Sequence, residues 1–247
     1  MWFIELMNKI LYKLFLRVVD LIDQNNKEKI IKFFKARIGN NLIHVIDIGA
    51  HKGETIDLFM KNFNIKKIYS FEPNNDLFTA LINKNYDTNI VNLVKLGVGK
   101  ISEKKILKIF KDSSSSTLNT INENTEYFKR KKKIISFFLP GDNFLKRKQE
   151  IDVINLSEFF NQENITKIDI LKIDTEGYEF HAINGIYKLD FEKIKFIYFE
   201  HHYDLMIDKK YKFSDINDLL KKNDFHMRYK LRMKYRKSFE YIYENSK

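Results

Sequence analysis

The stretch VIDIGAHKGET, residues 45–55, decides how the rest of the chain is read. A β-branched apolar run passes through Asp47, and Gly49 and Gly53 follow in a chain with only 8 glycines among 247 residues. Directly behind them, ETIDLFMKNF (54–63) spaces Ile56, Phe59, Met60 and Phe63 along one face of a helix. A buried strand over LIHVIDI (42–48), a tight turn and a helix are therefore expected. Gly49 suits the positive φ of such a turn, where a Cβ would be strained. Gly53 opens the helix and suits a close approach of ligand to bare backbone. Asp47 closes the strand as a hydrogen-bond acceptor.

The same alternation runs outward. KIYSF (67–71) reads as a strand, NNDLFTALINKN (74–85) as a helix capped by Asn or Asp, and IVNLVKLGV (90–98) as a third strand. KIDILKI (167–173), GYEFHAINGIYKL (177–189) and KIKFIYF (193–199) repeat strand, helix, strand. FSDINDLLKKN (213–223) is a helix opening with a Ser cap, and FHMRYKL and SFEYIYE close the chain as a hairpin. Strands alternating with helices imply an α/β fold: a mostly parallel sheet, right-handed crossovers and helices on both faces. The hairpin adds an antiparallel strand at an edge. Residues 41–247 form the main domain, residues 1–40 a helical extension, and about 100–166 a β-rich insertion over the sheet.

In an open α/β sheet, ligands sit beyond the carboxyl ends of the strands. The turn carries D-x-G-x-x-x-G, with Ala50 and His51 where a dinucleotide fingerprint would need another glycine. A smaller ligand with a positive centre and no phosphate fits better, and S-adenosylmethionine is one. A ribose-binding carboxylate is then expected at the end of the second strand, where SFEP supplies Glu72, held extended by Pro73. At the third strand end, Gly97, Val98 and Gly99 leave room for an adenine. A second cluster, ILKIDTEGYEF (170–180), sets Asp174, Glu176 and Glu179 at the fourth strand end. YFEHHYD (198–204) sets Glu200, His201, His202 and Asp204 at the fifth. Such clusters serve as proton acceptors or hold substrate hydroxyls. Mg²⁺ between Asp174 and Glu200 is the lesser reading, and no metal is assigned.

There is no Cys, which excludes disulfides and thiolate zinc sites. The formal charge of +11 invites polyanionic partners, but the lysines are scattered. Lys129-Arg130-Lys131-Lys132-Lys133 reads first as a solvated face and second as an anion-binding patch. The N-terminal MWFIELMNKILYKLFLRVVDLIDQ lacks the basic opening and cleavage site of a signal peptide. It reads as a helix whose polar stripe is Glu5, Lys9, Lys13 and Arg17. Its wide apolar face calls for burial against its own domain, in a homodimer, or in a peripheral membrane interface. A cytoplasmic location, with that membrane contact as an option, is expected. No apolar run approaches the ~18 residues of a spanning helix.

VIDIGAHKGETIDLF, IYSFEPNNDLF, INLSEFF and ILKIDTEGYEFHAINGI, in this order, resemble the FkbM family of S-adenosylmethionine-dependent methyltransferases over roughly residues 43–202. The resemblance implies the Rossmann-like class I methyltransferase fold with a seven-stranded sheet. It also implies O-methylation of a hydroxyl on a saccharide or secondary metabolite, with S-adenosylhomocysteine as product. It places the cofactor against Asp47, Gly49, Gly53 and Glu72, and the acidic motif at Asp174, Glu176, Gly177 and Glu179. His51 stands where the family commonly has Asn, and Ser157-Glu158 where it often has two acids. The full expected cofactor set is Asp47, Gly49, Ala50, His51, Gly53, Glu72, Pro73, Gly97, Val98 and Asp174. Asp174 is the leading base, His201 the second and Glu200 the third, while Glu176, Tyr178, Glu179 and His202 face the acceptor. The acceptor is expected to be a small molecule or glycan. Nucleic acid is disfavoured, because D-T-E-G is not the signature of base amino-group methylation and no RNA-binding module is recognisable.

Overall fold

The computed structural model describes residues 2–138, 144–234 and 236–247. The chain opens with one long helix, α1 (Trp2–Ile38). The alternation follows: β1 (Ile43–Ile48), α2 (Glu54–Asn62), β2 (Ile65–Phe71), α3 (Asn75–Ile82) and β3 (Val91–Val94). The middle contains β4 (Gly97–Gly99), β5 (Glu103–Phe110), β6 (Thr120–Ile121), α4 (Glu126–Phe138), β7 (Leu145–Asn155) and α5 (Leu156–Gln162). Then come β8 (Ile168–Ile173), α6 (Glu179–Asn184), β9 (Ile194–His202), β10 (Ile207–Asp208), α7 (Phe213–Lys222), β11 (Phe225–Arg232) and β12 (Ser238–Asn245).

Seven strands form the main sheet in the order β11-β12-β9-β8-β1-β2-β3. All neighbours are parallel except around β12, which runs antiparallel to both β9 and β11. The reversed strand is thus interior rather than at an edge. The α7 crossover carries β11 one place beyond β9, and the hairpin returns β12 into the gap. Alternate strand residues feed two cores, one on each face. Ile46, Ile48, Leu171 and Ile173 pack under α5, α6 and α7. Val45 and Ile170 pack under α1, α2 and α3.

The C-terminal part of α1 joins the second core. Ile30, Ile31, Phe34 and Ile38 belong to the second core. Phe34 lies edge-on to Phe196 at 5.4 Å between ring centroids. The side chains of Glu5, Lys9, Lys13 and Arg17 lie outside the described residues.

The insertion is partly helical. β4, β7 and β5 make a separate three-stranded sheet, and β6 pairs with β10. The expected third strand therefore breaks after Val94, and Gly97 and Gly99 belong to the small sheet. A Cβ on Gly99 would lie 2.8 Å from Val153 Cγ1, so that glycine serves strand packing. Asn74 caps α3 as expected, accepting from Asp76 N–H at 3.0 Å. Ser214 does not cap α7. Lys212 is the N-cap residue, and its N–H donates to Asp215 at 2.7 Å. α6 stops at Asn184, well short of 189.

Candidate active site

A cavity of about 730 Å³ opens at the carboxyl ends of β1, β2, β8 and β9 and is walled by α1 and the insertion. The β1–α2 turn forms one end. Gly49 has φ +86, and a Cβ there would stand 1.9 Å from the Asp174 carbonyl oxygen. The N–H groups of Gly49 and Ala50 donate to the Phe71 carbonyl at 3.0 and 2.9 Å. His51 also has positive φ, +51, a conformation Asn adopts with less strain. Its N–H donates to Glu72 Oε2 at 2.9 Å, and its ring contacts Glu54 at 3.1 Å and Ser113 at 2.8 Å. Glu72 Oε1 accepts from Asn74 N–H at 2.9 Å. Burial pushes its carboxyl up to about 7 despite those two bonds.

Asp47 is fully buried. Lys172 Nζ lies 3.2 Å from it and 3.5 Å from Asp174. Burial works against the charge on Lys172, but Asp47 and Asp174 outweigh it and raise its pKa. Burial raises Asp47 as well, with Lys172 opposing. Lys172 thus ties the ends of β1 and β8 together. Of the expected cofactor residues, Gly49, Ala50, His51, Glu72, Pro73, Gly97, Val98 and Asp174 line the cavity. Asp47 sits behind it. Gly53 is not in the lining; its φ is +85, and a Cβ would meet the Tyr86 hydroxyl at 2.5 Å. The local packing and φ require that glycine without any ligand.

The D-T-E-G turn after β8 divides its carboxylates. The Asp174 side chain is 37% exposed and faces the cavity. Glu176 and Tyr178 also line it. Glu176 has φ +49 and Gly177 φ +92. Thr117 Oγ1 donates to the Glu176 carbonyl at 2.7 Å, and Asn119 Nδ2 to that of Gly177 at 2.6 Å, so the insertion braces the turn. Glu179 is fully buried and outside the lining. It accepts from Gly177 N–H at 2.7 Å and from the Tyr211 hydroxyl at 2.6 Å, which makes it an anchor of the turn.

β9 runs on to His202, so strand alternation sorts the cluster read as a strand end. Glu200 faces the cavity. His201 points to the other side, among Tyr203, Tyr211 and Phe213, and does not line the cavity. Burial lowers its pKa to about 3. Its place in the fold does not suit a base acting on a ligand in the cavity. His202 is also outside the lining. It lies 3.5 Å from Glu176, 3.6 Å from Glu200 and 3.5 Å from Asp204. Burial opposes its charge, yet Glu176 and Glu200 raise its pKa to about 10. It is a buried cation that holds acids in place.

The far end of the cavity was not visible in sequence. Asp23 of α1, Tyr198 and Glu200 of β9, Arg236, and Glu240 of β12 meet there. Glu200 and Glu240 are cross-strand partners. Tyr198 hydroxyl donates to Glu240. Arg236 stands 3.8 Å from Asp23 and 3.9 Å from Glu200. Asp23 is 2% exposed, and the Lys234 backbone N–H and the Arg236 guanidinium face its carboxylate. Glu200 Oε1 and Glu240 Oε2 are without a hydrogen-bond donor among the described residues. Burial raises Asp23, and raises Glu240 to about 7. Lys172 carried a signal, a lysine inside a buried apolar strand. Asp23 and Arg236 carried none. Among the described residues no group of three or more His, Asp or Glu is arranged to hold a metal ion.

The profile of the Methyltransferase FkbM domain matches residues 47–227. A comparison with curated proteins found no match. Among solved structures, an FkbM methyltransferase from Methylobacillus flagellatus KT aligns with 14% identity and a TM-score of 0.48 over 82% of this chain. The chain spans 44% of that protein's length. Magnesium protoporphyrin IX methyltransferase from Synechocystis PCC 6803, with bound S-adenosylhomocysteine, aligns with 10% identity and a TM-score of 0.50 over 92% of this chain and 85% of the other. At that identity the likeness concerns the fold alone, an α/β class I methyltransferase fold.

Proposed function

The chain belongs to the FkbM methyltransferase family, and on that premise we propose that it transfers a methyl group from S-adenosylmethionine to a hydroxyl of a saccharide. The observation that carries the acceptor class is the far end of the cavity, where one carboxylate oxygen each of Glu200 and Glu240 lacks a hydrogen-bond donor among the described residues. Buried acceptors without partners are costly, so a ligand rich in donors completes them. A polyol does this. A phosphodiester brings only acceptors and negative charge, which argues against nucleic acid at this wall.

The near end suits the cofactor. Glu72 holds the turn with one N–H on each oxygen. Each oxygen keeps a second lone pair for a ribose hydroxyl. The acidic lining suits a cationic donor. When bound, the cofactor would supply a sulfonium-bound methyl group that passes to the acceptor oxygen as the carbon–sulfur bond breaks and S-adenosylhomocysteine leaves. Asp174 is the residue assigned to take the hydroxyl proton, with Glu200 the alternative. Such a base contributes about 10²–10⁴-fold. Lys172 positions Asp174, and His202 positions Glu176 and Glu200.

Calorimetry with S-adenosylhomocysteine tests the cofactor, and transfer of labelled methyl to a glycan panel tests the acceptor. Absence of binding by the wild type sinks the first. Methylation of RNA in place of any glycan sinks the second. Binding with no turnover on any acceptor would leave a non-catalytic cofactor-binding protein.

A further inference from the structure

The wide apolar surface of α1 is only partly covered. Tyr12, Ile30 and Phe34 are buried on its inner side. Met7, Ile10, Leu11, Leu14 and Val18 remain between 45% and 54% exposed. With 3.6 residues per turn, these five form one stripe along the helix, largely opposite that inner side. α4 packs beside this segment, with the Tyr12 and Phe138 rings 5.7 Å apart. α4 adds Ile134 and Phe137, 40% and 75% exposed. Exposed Lys129, Arg130 and Lys133 stand on the same short helix.

We propose that residues 7–18 of α1, together with α4, dock this protein on an anionic lipid bilayer. An apolar stripe bordered by cations is the form that interfacial binding takes: apolar side chains enter the acyl boundary while basic ones meet anionic headgroups. Charge complementarity selects this occupant over a second copy. Two copies meeting on this face would bring their α4 cations together, in a chain already at +11. A soluble polyanion would satisfy the cations and leave Leu14 and Phe137 in water. Among the described residues no helix is long and apolar enough to cross a membrane, so the contact is a flat one. Ile10 and Tyr12 also line the cavity, so the docked helix walls the site. Resting on the methyl-transfer reading, the acceptor is then a saccharide carried by a membrane lipid.

The test is co-sedimentation of the full chain with vesicles of phosphatidylcholine alone and of phosphatidylcholine mixed with phosphatidylglycerol. Binding is expected to the mixed vesicles only, and to weaken as salt rises. The pair Leu11→Glu and Leu14→Glu should abolish it. Lys129→Glu, Arg130→Glu and Lys133→Glu together should weaken it about tenfold or more. Calorimetry with S-adenosylhomocysteine reports separately on folding and on the cofactor reading. Vesicle binding that ignores both sets of variants, or none at all, overturns the proposal. So does a dimer in analytical ultracentrifugation that Leu14→Glu dissociates. If vesicles bind but S-adenosylhomocysteine does not, the docking surface stands and the methyl-transfer reading falls.

Discussion

The two ends of the cavity are equally acidic but differently finished. At the near end, Glu72 takes a backbone N–H on each oxygen, and Lys172 stands 3.2 Å from Asp47. At the far end, Glu200 and Glu240 are nearly as buried, yet among the described residues each has an oxygen without a hydrogen-bond donor; at the near end that holds only of Asp47 Oδ1, which Lys172 faces. The near end is built from turns between consecutive elements, which can satisfy their own polar groups. The far end is assembled from α1, β9, β12 and the loop carrying Arg236. Local hydrogen bonds cannot complete it. The first is a preformed cradle; the second is a surface that a ligand finishes.

The sharpest way to break this contrast is Gly49→Ala. Positive φ and the Asp174 carbonyl leave no room for a Cβ. We expect a loss of about 3 kcal/mol or more in denaturant unfolding, with no S-adenosylhomocysteine bound. A variant of ordinary stability would mean that the turn is not preformed. Asp174→Asn addresses the junction of the two ends. The turnover rate should fall about 10²–10⁴-fold with cofactor-product affinity little changed. An equal fall in both would make Asp174 a binding group only. Glu72→Ala should weaken S-adenosylhomocysteine about tenfold or more by calorimetry, because it frees two backbone donors as well as the ribose contact.

Asp23→Asn should raise the KM for the acceptor several-fold, and it should lower the melting temperature by removing the carboxylate that Arg236 faces at 3.8 Å. An unchanged KM would show that Asp23 does not meet the acceptor. The last comparison concerns pH dependence. His202 has a folded pKa near 10, above its ordinary value. Its stabilisation is complete below about 6.5 and is lost as pH rises through the folded value. Melting temperatures should therefore decline between those limits, and His202→Gln should flatten the decline.

The near end was legible because its residues are neighbours in sequence. A strand, a glycine turn and the acid at the next strand end all fall within 45–73. The polar run in YFEHHYD reads as a strand end rather than a strand interior. The strand in fact continues to His202, and parity sends Glu200 and His201 to opposite faces. The glycines of β4 continue an apolar run, and nothing local marks a change of sheet. Lys172 sits inside an apolar strand, where composition alone does not single it out. Asp23 and Arg236 lie 3.8 Å apart across more than two hundred residues of chain, a separation no periodicity reports. The N-terminal helix and its burial against its own domain follow from its wide apolar face, but the residues that enter the core, Ile30, Ile31, Phe34 and Ile38, lie beyond the stretch that shows that face.

The interior position of β12 has a bearing on biosynthesis. β9 and β11 are made before the strand that lies between them. Until the ribosome has released residues 238–245, the sheet stands open with two unpaired edges facing one vacant slot. The nascent chain is then a target for foreign strands and for chaperones that shield them, and the emergence of β12 is what closes the sheet.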